Sequence, residues 1–460
     1  MSKYFGDKKF YINTLTLVIP IIIQNLITNF VSMLDNIMVG QLGTCQMNGV
    51  SIINQYIFIF NISVFGCIAG PSIFGSQFFG RGDTKGQRDS FRFRLLVSSV
   101  FLLIAFAILT LFPTELINLF ISPDDSPQMR IATLSFATEY MWIIMFSLPP
   151  FIISQVYSST LRECGNTKVP MYSSLAAVIV NLVLDYALIF GELGCPRLGV
   201  AGAAIATAIA KLIEACIVVF WVHIHAIDNK YIIGAYKSFK IAPKLFKEMT
   251  RKSLPLLFNE ILWVIGISAT AQCFSVRGLD VVAARNIAGT ITNLFGVVYI
   301  QLGTGIGLIV GSTLGAGKTE EAIDEARKLR VFSIIVGLFV CICMLPFAWF
   351  FPDIYNTQQN IRHLAGFIII VHSFAMPLWA YSNACYFELR SGGQTFVTFL
   401  FDFVFTWVLM IPLTVYLSYF TTVDIHIIIA VTAYIEIIKT IIGYYLTKSR
   451  MWVKTIGHTV

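Results

Sequence analysis

Charge is scarce in this chain. Only 12% of its 460 residues are Asp, Glu, Lys or Arg, against about 25% in a typical soluble domain, which excludes an ordinary water-soluble fold. The six histidines are scattered, so the cluster that a membrane-embedded enzyme would need is missing; His223 and His225 sit at a helix end and read as interfacial. The nine cysteines show no metal-ligand spacing and no disulfide framework, and Cys341 and Cys343 read as buried, reduced thiols. No soluble basic domain exists to meet nucleic acid. A cleavable leader is not expected, because the first apolar run is too long, Asp35 interrupts it and no small-residue cleavage site follows. A phosphate-binding loop is incomplete. Gly315-Ala-Gly-Lys-Thr319 resembles part of one, but Ser312 stands where glycine is required, and the segment follows an apolar helix rather than a strand. It reads as a helix stop with glycine in a tight turn. The segment therefore offers no ATPase, and any uphill process would have to draw on an ion gradient.

What the chain has instead is apolar length. It is 57% hydrophobic, with a mean hydropathy of +0.77. A spanning helix needs about 20 apolar residues. Twelve stretches qualify, at roughly 12–40, 50–79, 95–112, 131–156, 170–190, 199–222, 253–276, 285–312, 331–351, 363–387, 396–419 and 424–446. In lipid all twelve should be helices. With a cytoplasmic N-terminus, 25 Lys and Arg fall in inner segments and 5 in outer loops (Arg130, Arg197, Arg277, Arg285 and Arg362). That bias fits a multi-pass protein of the plasma (inner) membrane with both termini cytoplasmic. The longest polar stretch, 223–252, is lysine-rich and is expected to contain a short amphipathic helix.

The sequence also repeats. Pro20, Gly43, Gly70 and Gly80 recur 235 positions later as Pro255, Gly278, Gly305 and Gly315. The loop at 161–167 recurs as 389–395, with the offset reduced to 228. The fold expected is therefore all-α, with twelve transmembrane helices in two six-helix lobes and boundaries at 1–222, 223–252 (linker) and 253–460. Six spans per half send both halves into the membrane in the same direction, so the pseudo-twofold axis lies along the membrane normal. Two lobes around a cleft are the architecture of a carrier.

Intramembrane charges are costly and mark function by default. Asp35 lies on the first span, fifteen residues after Pro20; Asp185 lies on the fifth, fifteen after Pro170. Asn181 is one turn before Asp185, and Thr207 on the sixth span offers a hydroxyl. Together they could hold sodium through oxygen ligands or take up a proton. The alternative is a pair of carboxylates that only braces the lobe. Glu260, in the second half, could attract a cationic substrate, bind a second ion, or be a satisfied neutral carboxyl. Asp402 reads as an anchor. Lys211 with Glu214, and Glu436 with Lys439, read as local ion pairs. Pro20 and Pro255 free a backbone carbonyl and permit a bend, serving as gates or as static kinks.

Four stretches resemble the multidrug and toxic compound extrusion transporters. They are Met33-Leu-Asp35-Asn-Ile-Met-Val-Gly40 with Gln41-Leu-Gly43, Gly165-Asn-Thr-Lys-Val-Pro170 before Asn181 and Asp185, Leu198 to Thr207, and Leu389 to Thr395 before Asp402, Trp407 and Pro412. The resemblance implies a V-shaped pair of lobes. It implies a monomer that exports amphipathic, often cationic compounds in exchange for sodium or protons, without a cofactor. It also implies a cation site at Asp35, Asn181, Asp185 and Thr207. Glu260 matches a second-half acid of some members, but the further acid those members place on the tenth span is absent around Pro377-Leu-Trp-Ala380. The order Asp83-Thr-Lys-Gly86 departs from the loop of major facilitator carriers. A lipid-linked oligosaccharide flippase of the same wider superfamily stays open as the alternative; it would favour a more basic cavity.

Overall fold

A computed structural model describes residues 4–121 and 126–457; Lys3, part of the charge count above, lies outside them. Among the described residues there is no strand, and twelve helices are long and apolar enough to cross a membrane. They are α1 (Lys8–Gly40), α2 (Thr44–Arg81), α3 (Thr84–Leu111), α4 (Pro127–Glu163), α5 (Lys168–Phe190), α6 (Val200–Ile224), α7 (Pro243–Ser275), α8 (Leu279–Gly315), α9 (Thr319–Ile354), α10 (Gln359–Ser391), α11 (Thr395–Tyr419) and α12 (Ile425–Lys448). The protein is a multi-pass membrane protein. Twelve crossings leave both chain ends on one face, here called the terminal face.

Several helices begin earlier than hydropathy implies. α3 starts at Thr84 rather than 95, and α9 at Thr319 rather than 331. Hydropathy detects only the lipid-facing length, whereas the added turns are polar. Glu320 and Glu321 sit in the first turn of α9, where carboxylates favour the positive end of the helix dipole. Four crossings are irregular. α9 breaks at Leu345 and Pro346 before resuming at Phe347. α4 tightens into a 3-10 turn at Met145–Ser147, just before Pro149 and Pro150 remove two amide donors. α11 is π-helical over Val404–Met410, and α12 stops at Tyr434 and resumes at Glu436.

The repeat is written into the turns. Gly82 and Gly317 have φ of +73° and +77°, and Gly165 and Gly393 have +79° and +72°. These left-handed values favour glycine, and each pair keeps its sequence offset. The loop at 315–319 is thus a helix stop, with the Lys318 amide bonded to the Thr313 carbonyl at 3.2 Å.

The chain forms two compact units that do not follow its midpoint. One comprises Ile23–Gly75 and Thr84–Phe246; the other comprises Lys247–Val460 together with Met1–Ile22 and Ser76–Asp83. The lobe boundaries at 1–222, 223–252 and 253–460 follow the repeat, but the start of α1 and the end of α2 pack with the second half. α1 changes unit two residues after Pro20, which is buried inside the helix. Pro255 lies wholly within one unit. In the first-half unit the core is built from Ile53, Val64, Phe91, Met141, Tyr157 and Val218, among others. In the second, Val18 packs with Leu302, Ile306 and Val310 of α8 and with Trp452 beyond α12.

The segment between the halves carries its amphipathic helix at its end. After a 3-10 turn at Lys230–Ile232, residues 243–252 form the start of α7, with Leu245 and Met249 buried one turn apart and Lys244 and Lys247 exposed. Arginines of α3 hold the part before it. Arg92 donates to the carbonyls of Gly234 and Ala235, both at 2.8 Å, and Arg88 to those of Lys230 and Tyr231. Those carbonyls are the ones a helix would use internally. Tyr231 is buried, and Tyr236 bonds the Tyr157 hydroxyl.

Gln77, on the α2 segment of the second-half unit, is fully buried. Its amide donates to the carbonyls of Ser391 (2.9 Å) and Lys454 (3.2 Å) and accepts from the Ile456 amide (2.8 Å). Gln77→Ala leaves three backbone groups without that partner. Each buried orphan costs about 1–3 kcal/mol, so residues beyond Lys448 are expected to become cleavable by limited proteolysis while the helices stay protected.

Candidate functional site

A cavity of about 490 Å³ lies inside the first-half unit. α1 supplies one wall through Gln24, Asn25, Thr28, Asn29, Ser32, Asp35 and Asn36. These positions recur at helical spacing and form a polar stripe on an otherwise apolar crossing. Asp35 is the one charged residue in it, so charge alone marks only that position. The helical spacing of the polar residues is the sequence signal that marks the rest. α2 adds Asn54 and Asn61, α4 adds Tyr140, Gln155 and Arg162, α5 adds Ser174 and Asp185, and α6 adds Thr207, Lys211 and Glu214.

Helix direction orders these groups along the membrane. α1 and α5 run away from the terminal face, so Asp35 and Asp185, near their ends, lie toward the opposite face. Arg162, near the end of α4, lies toward the terminal face. Between them runs a hydrogen-bonded chain. Gln24 Nε2 donates to Ser174 Oγ (2.8 Å), Ser174 Oγ donates to Glu214 Oε1 (2.7 Å), and Lys211 Nζ donates to Glu214 Oε2 (3.0 Å). The expected Lys211–Glu214 pair is therefore present, and it is part of a longer chain linking α1, α5 and α6.

The acid pair is different in kind. Asp35 and Asp185 are direct electrostatic neighbours, with Lys211 within range of Asp35 and Tyr140 within range of both. Asp185 is 1% exposed and Asn181 is buried beside it. Neither carboxyl oxygen of Asp185 has a hydrogen-bond partner, nor do Asp35 Oδ1 and Asn181 Nδ2. A buried ionised carboxylate without a partner is strongly disfavoured. The pair therefore needs a proton or a cation, and the hard oxygen donors fit either. Asp35, Asp185 and Thr207 line one cavity, and Asn181 stands next to Asp185 from just outside its wall.

Glu260 belongs elsewhere. It lies on α7 in the second-half unit, with Arg390 and Asp402 as its charged neighbours. The adjacent Asn259 Nδ2 donates to Tyr386 Oη (3.3 Å) and Asp402 Oδ2 (3.1 Å). Asp402 is ion-paired with Lys439 at 2.8 Å, as an anchoring role requires. Two further buried pairs, Arg94–Glu163 and Arg330–Glu388, fall just outside the apolar stretches at 95–112, 131–156, 331–351 and 363–387, so hydropathy does not mark them as intramembrane charges.

The sequence profile described as MatE matches residues 20–187 and again 255–416. The chain is 24% identical to a probable multidrug resistance protein NorM of Thermotoga maritima over 412 residues, covering 88% of this chain and 85% of that protein. It is 24% identical to the multidrug resistance protein MdtK of Proteus mirabilis, over 90% and 88% of the two. The fold is similar to that of a mutant of the Vibrio cholerae MATE transporter VcmN, with a TM-score of 0.86 at 15% identity over 96% and 97% of the chains. It is also similar to that of a MOP superfamily transporter from Pyrococcus furiosus, with a TM-score of 0.84 at 18% identity over 98% of each. The profile's two matches begin at Pro20 and Pro255, the spacing of the internal repeat, and on that ground the chain belongs to the MatE family of multidrug and toxic compound extrusion transporters and is a carrier, not an enzyme.

Proposed function

We propose that the protein is a cation-coupled antiporter of the plasma membrane that exports amphipathic, cationic organic compounds by alternating access. It would act as a monomer with both termini cytoplasmic. The relatives' description as multidrug resistance proteins supports the substrate class, and the 25-to-5 bias of basic residues supports the orientation. The observation that carries the coupling is the pair of half-buried Asp35 and buried Asp185, in which Asp35 Oδ1 and both Asp185 oxygens lack a hydrogen-bond partner.

The cycle follows from charge. With the cavity open to the outside, a sodium ion or proton reaches the acid pair. Neutralising the carboxylates removes their attraction for a cationic compound, which leaves outward. The ion then follows its gradient inward, and its release restores the negative site. One elementary charge moving inward gains about 2.3 kcal/mol per 100 mV, roughly a fiftyfold accumulation ratio. The coupling ion is cargo, so no resident cofactor is invoked. Pro20 is the favoured hinge because α1 changes unit beside it. The cavity's three acids against two bases favour this reading over a flippase.

The test is ethidium efflux from membrane vesicles under separately imposed sodium and pH gradients. Asp35→Asn is expected to lower gradient-driven efflux by at least about tenfold, equivalent to roughly 1.4 kcal/mol of lost driving force. Glu260→Gln is expected to leave coupling in place. Unchanged efflux in Asp35→Asn removes it as the coupling residue. Lipid-linked oligosaccharide translocation without drug efflux would replace the whole reading.

A further inference from the structure

In the second-half unit the irregular parts of α11 and α12 meet around one ammonium group. α11 turns π-helical immediately after Phe403, and α12 breaks immediately before Glu436. Lys439 Nζ lies 2.8 Å from Asp402 Oδ1 and 3.5 Å from Glu436 Oε1. The same nitrogen is 5.3 Å from the ring centre of Phe401 and 5.2 Å from that of Phe405. Asn259 holds the other Asp402 oxygen at 3.1 Å.

Two carboxylates and two aromatic faces are what a free organic ammonium ion would need, since ring faces attract cations. π-helical turns concentrate at functional sites, and interrupted helices form the ion and substrate sites of many carriers. A helical ion pair alone accounts for neither the two rings nor the two interruptions. The side chains of Lys439 and Asp402 retain 17% and 20% exposure, so the cage is not sealed on every side.

We propose that Lys439 is a tethered cation, its ammonium filling a cation site built by Asp402, Glu436, Phe401 and Phe405. The second-half unit then takes no free coupling ion, and its site becomes a receptor for small ammonium ions once the lysine head is removed. This proposal does not depend on the coupling role of Asp35.

The test is equilibrium binding of radiolabelled methylammonium to the full-length protein in detergent. Lys439→Ala and Lys439→Met (which keeps the apolar stem) are expected to bind one more equivalent than wild type. Lys439→Arg, which keeps a tethered cation, is expected to match wild type. Adding Asp402→Asn to Lys439→Ala should weaken the new site by at least about tenfold. A folded Lys439→Ala or Lys439→Met that binds no more methylammonium than wild type overturns the proposal. Failure of both variants to fold even when prepared in methylammonium overturns it as well, because an occupied cage would restore the missing charge. The readout is binding, so it is separate from any failure of drug efflux.

Discussion

Glu163→Ala is expected to destabilise the first-half unit by about 3–5 kcal/mol, the cost of stranding a buried charge. Arg94 and Glu163 have side chains 0% and 1% exposed and meet at 2.5 Å. Arg94 also donates to Ser159 (2.8 Å), Thr160 (2.9 Å) and Ser90 (3.1 Å), while Glu163 accepts from Ser72 at 2.5 Å. Removing the carboxylate leaves a guanidinium that water cannot reach and neutral hydroxyls cannot neutralise. The paired change Arg94→Met with Glu163→Met removes both charges and should cost less than Glu163→Ala alone. Thermal unfolding in detergent decides the order; a double variant less stable than the single one would refute the argument. Gly75 is part of the same arrangement, because a Cβ there would stand 1.9 Å from Glu163 Oε2.

The second large effect is expected at the crossing of α2 and α8. A Cβ at Gly80 would lie 1.8 Å from the Ser312 carbonyl oxygen, and one at Gly315 would lie 2.0 Å from that of Gln77. The contact is reciprocal, since Gly80 and Gly315, and likewise Gln77 and Ser312, are repeat partners 235 positions apart. Small residues at such crossings let backbones touch, and overpacking costs about 1–3 kcal/mol per site. Gly80→Ala and Gly315→Ala should each lower the unfolding temperature. Combined, they should cost less than their sum, because the first substitution already separates the helices that the second would push. Strict additivity in the unfolding measurement would show that the two glycines do not share one contact.

The two arginine–glutamate pairs show where the repeat stops being informative. Each links the third and fourth helices of its half: Arg94 to Glu163, and Arg330 to Glu388 at 2.8 Å. Yet the repeat partner of Arg94 is Leu329, and that of Glu163 is Ser391. The interaction is kept while its residues move by one position and by about one turn. Aligning the halves cannot find it; only the packing of the helices does.

The linker teaches a related lesson. Its lysines and scattered apolar residues read as a short amphipathic helix, and that helix is the start of α7; what spacing does not reveal is that arginines some 140 positions earlier capture the carbonyls ahead of it. Asp402 and Lys439 were legible singly, as an anchor and as half of a local pair. Their joint cage was not, because the interruptions that assemble it are tertiary.

By itself the sequence determined the twelve crossings, the repeat, the glycine turns and the placing of Asp35 and Asp185 within apolar spans. Each follows from a cost paid locally, residue by residue, against lipid or against backbone sterics. Only the tertiary structure decided that α1 and α2 divide between the two units, that a polar stripe of α1 walls a cavity with α4, α5 and α6, and which buried charges meet. Those outcomes depend on distances between residues far apart in the chain, which hydropathy and spacing do not encode.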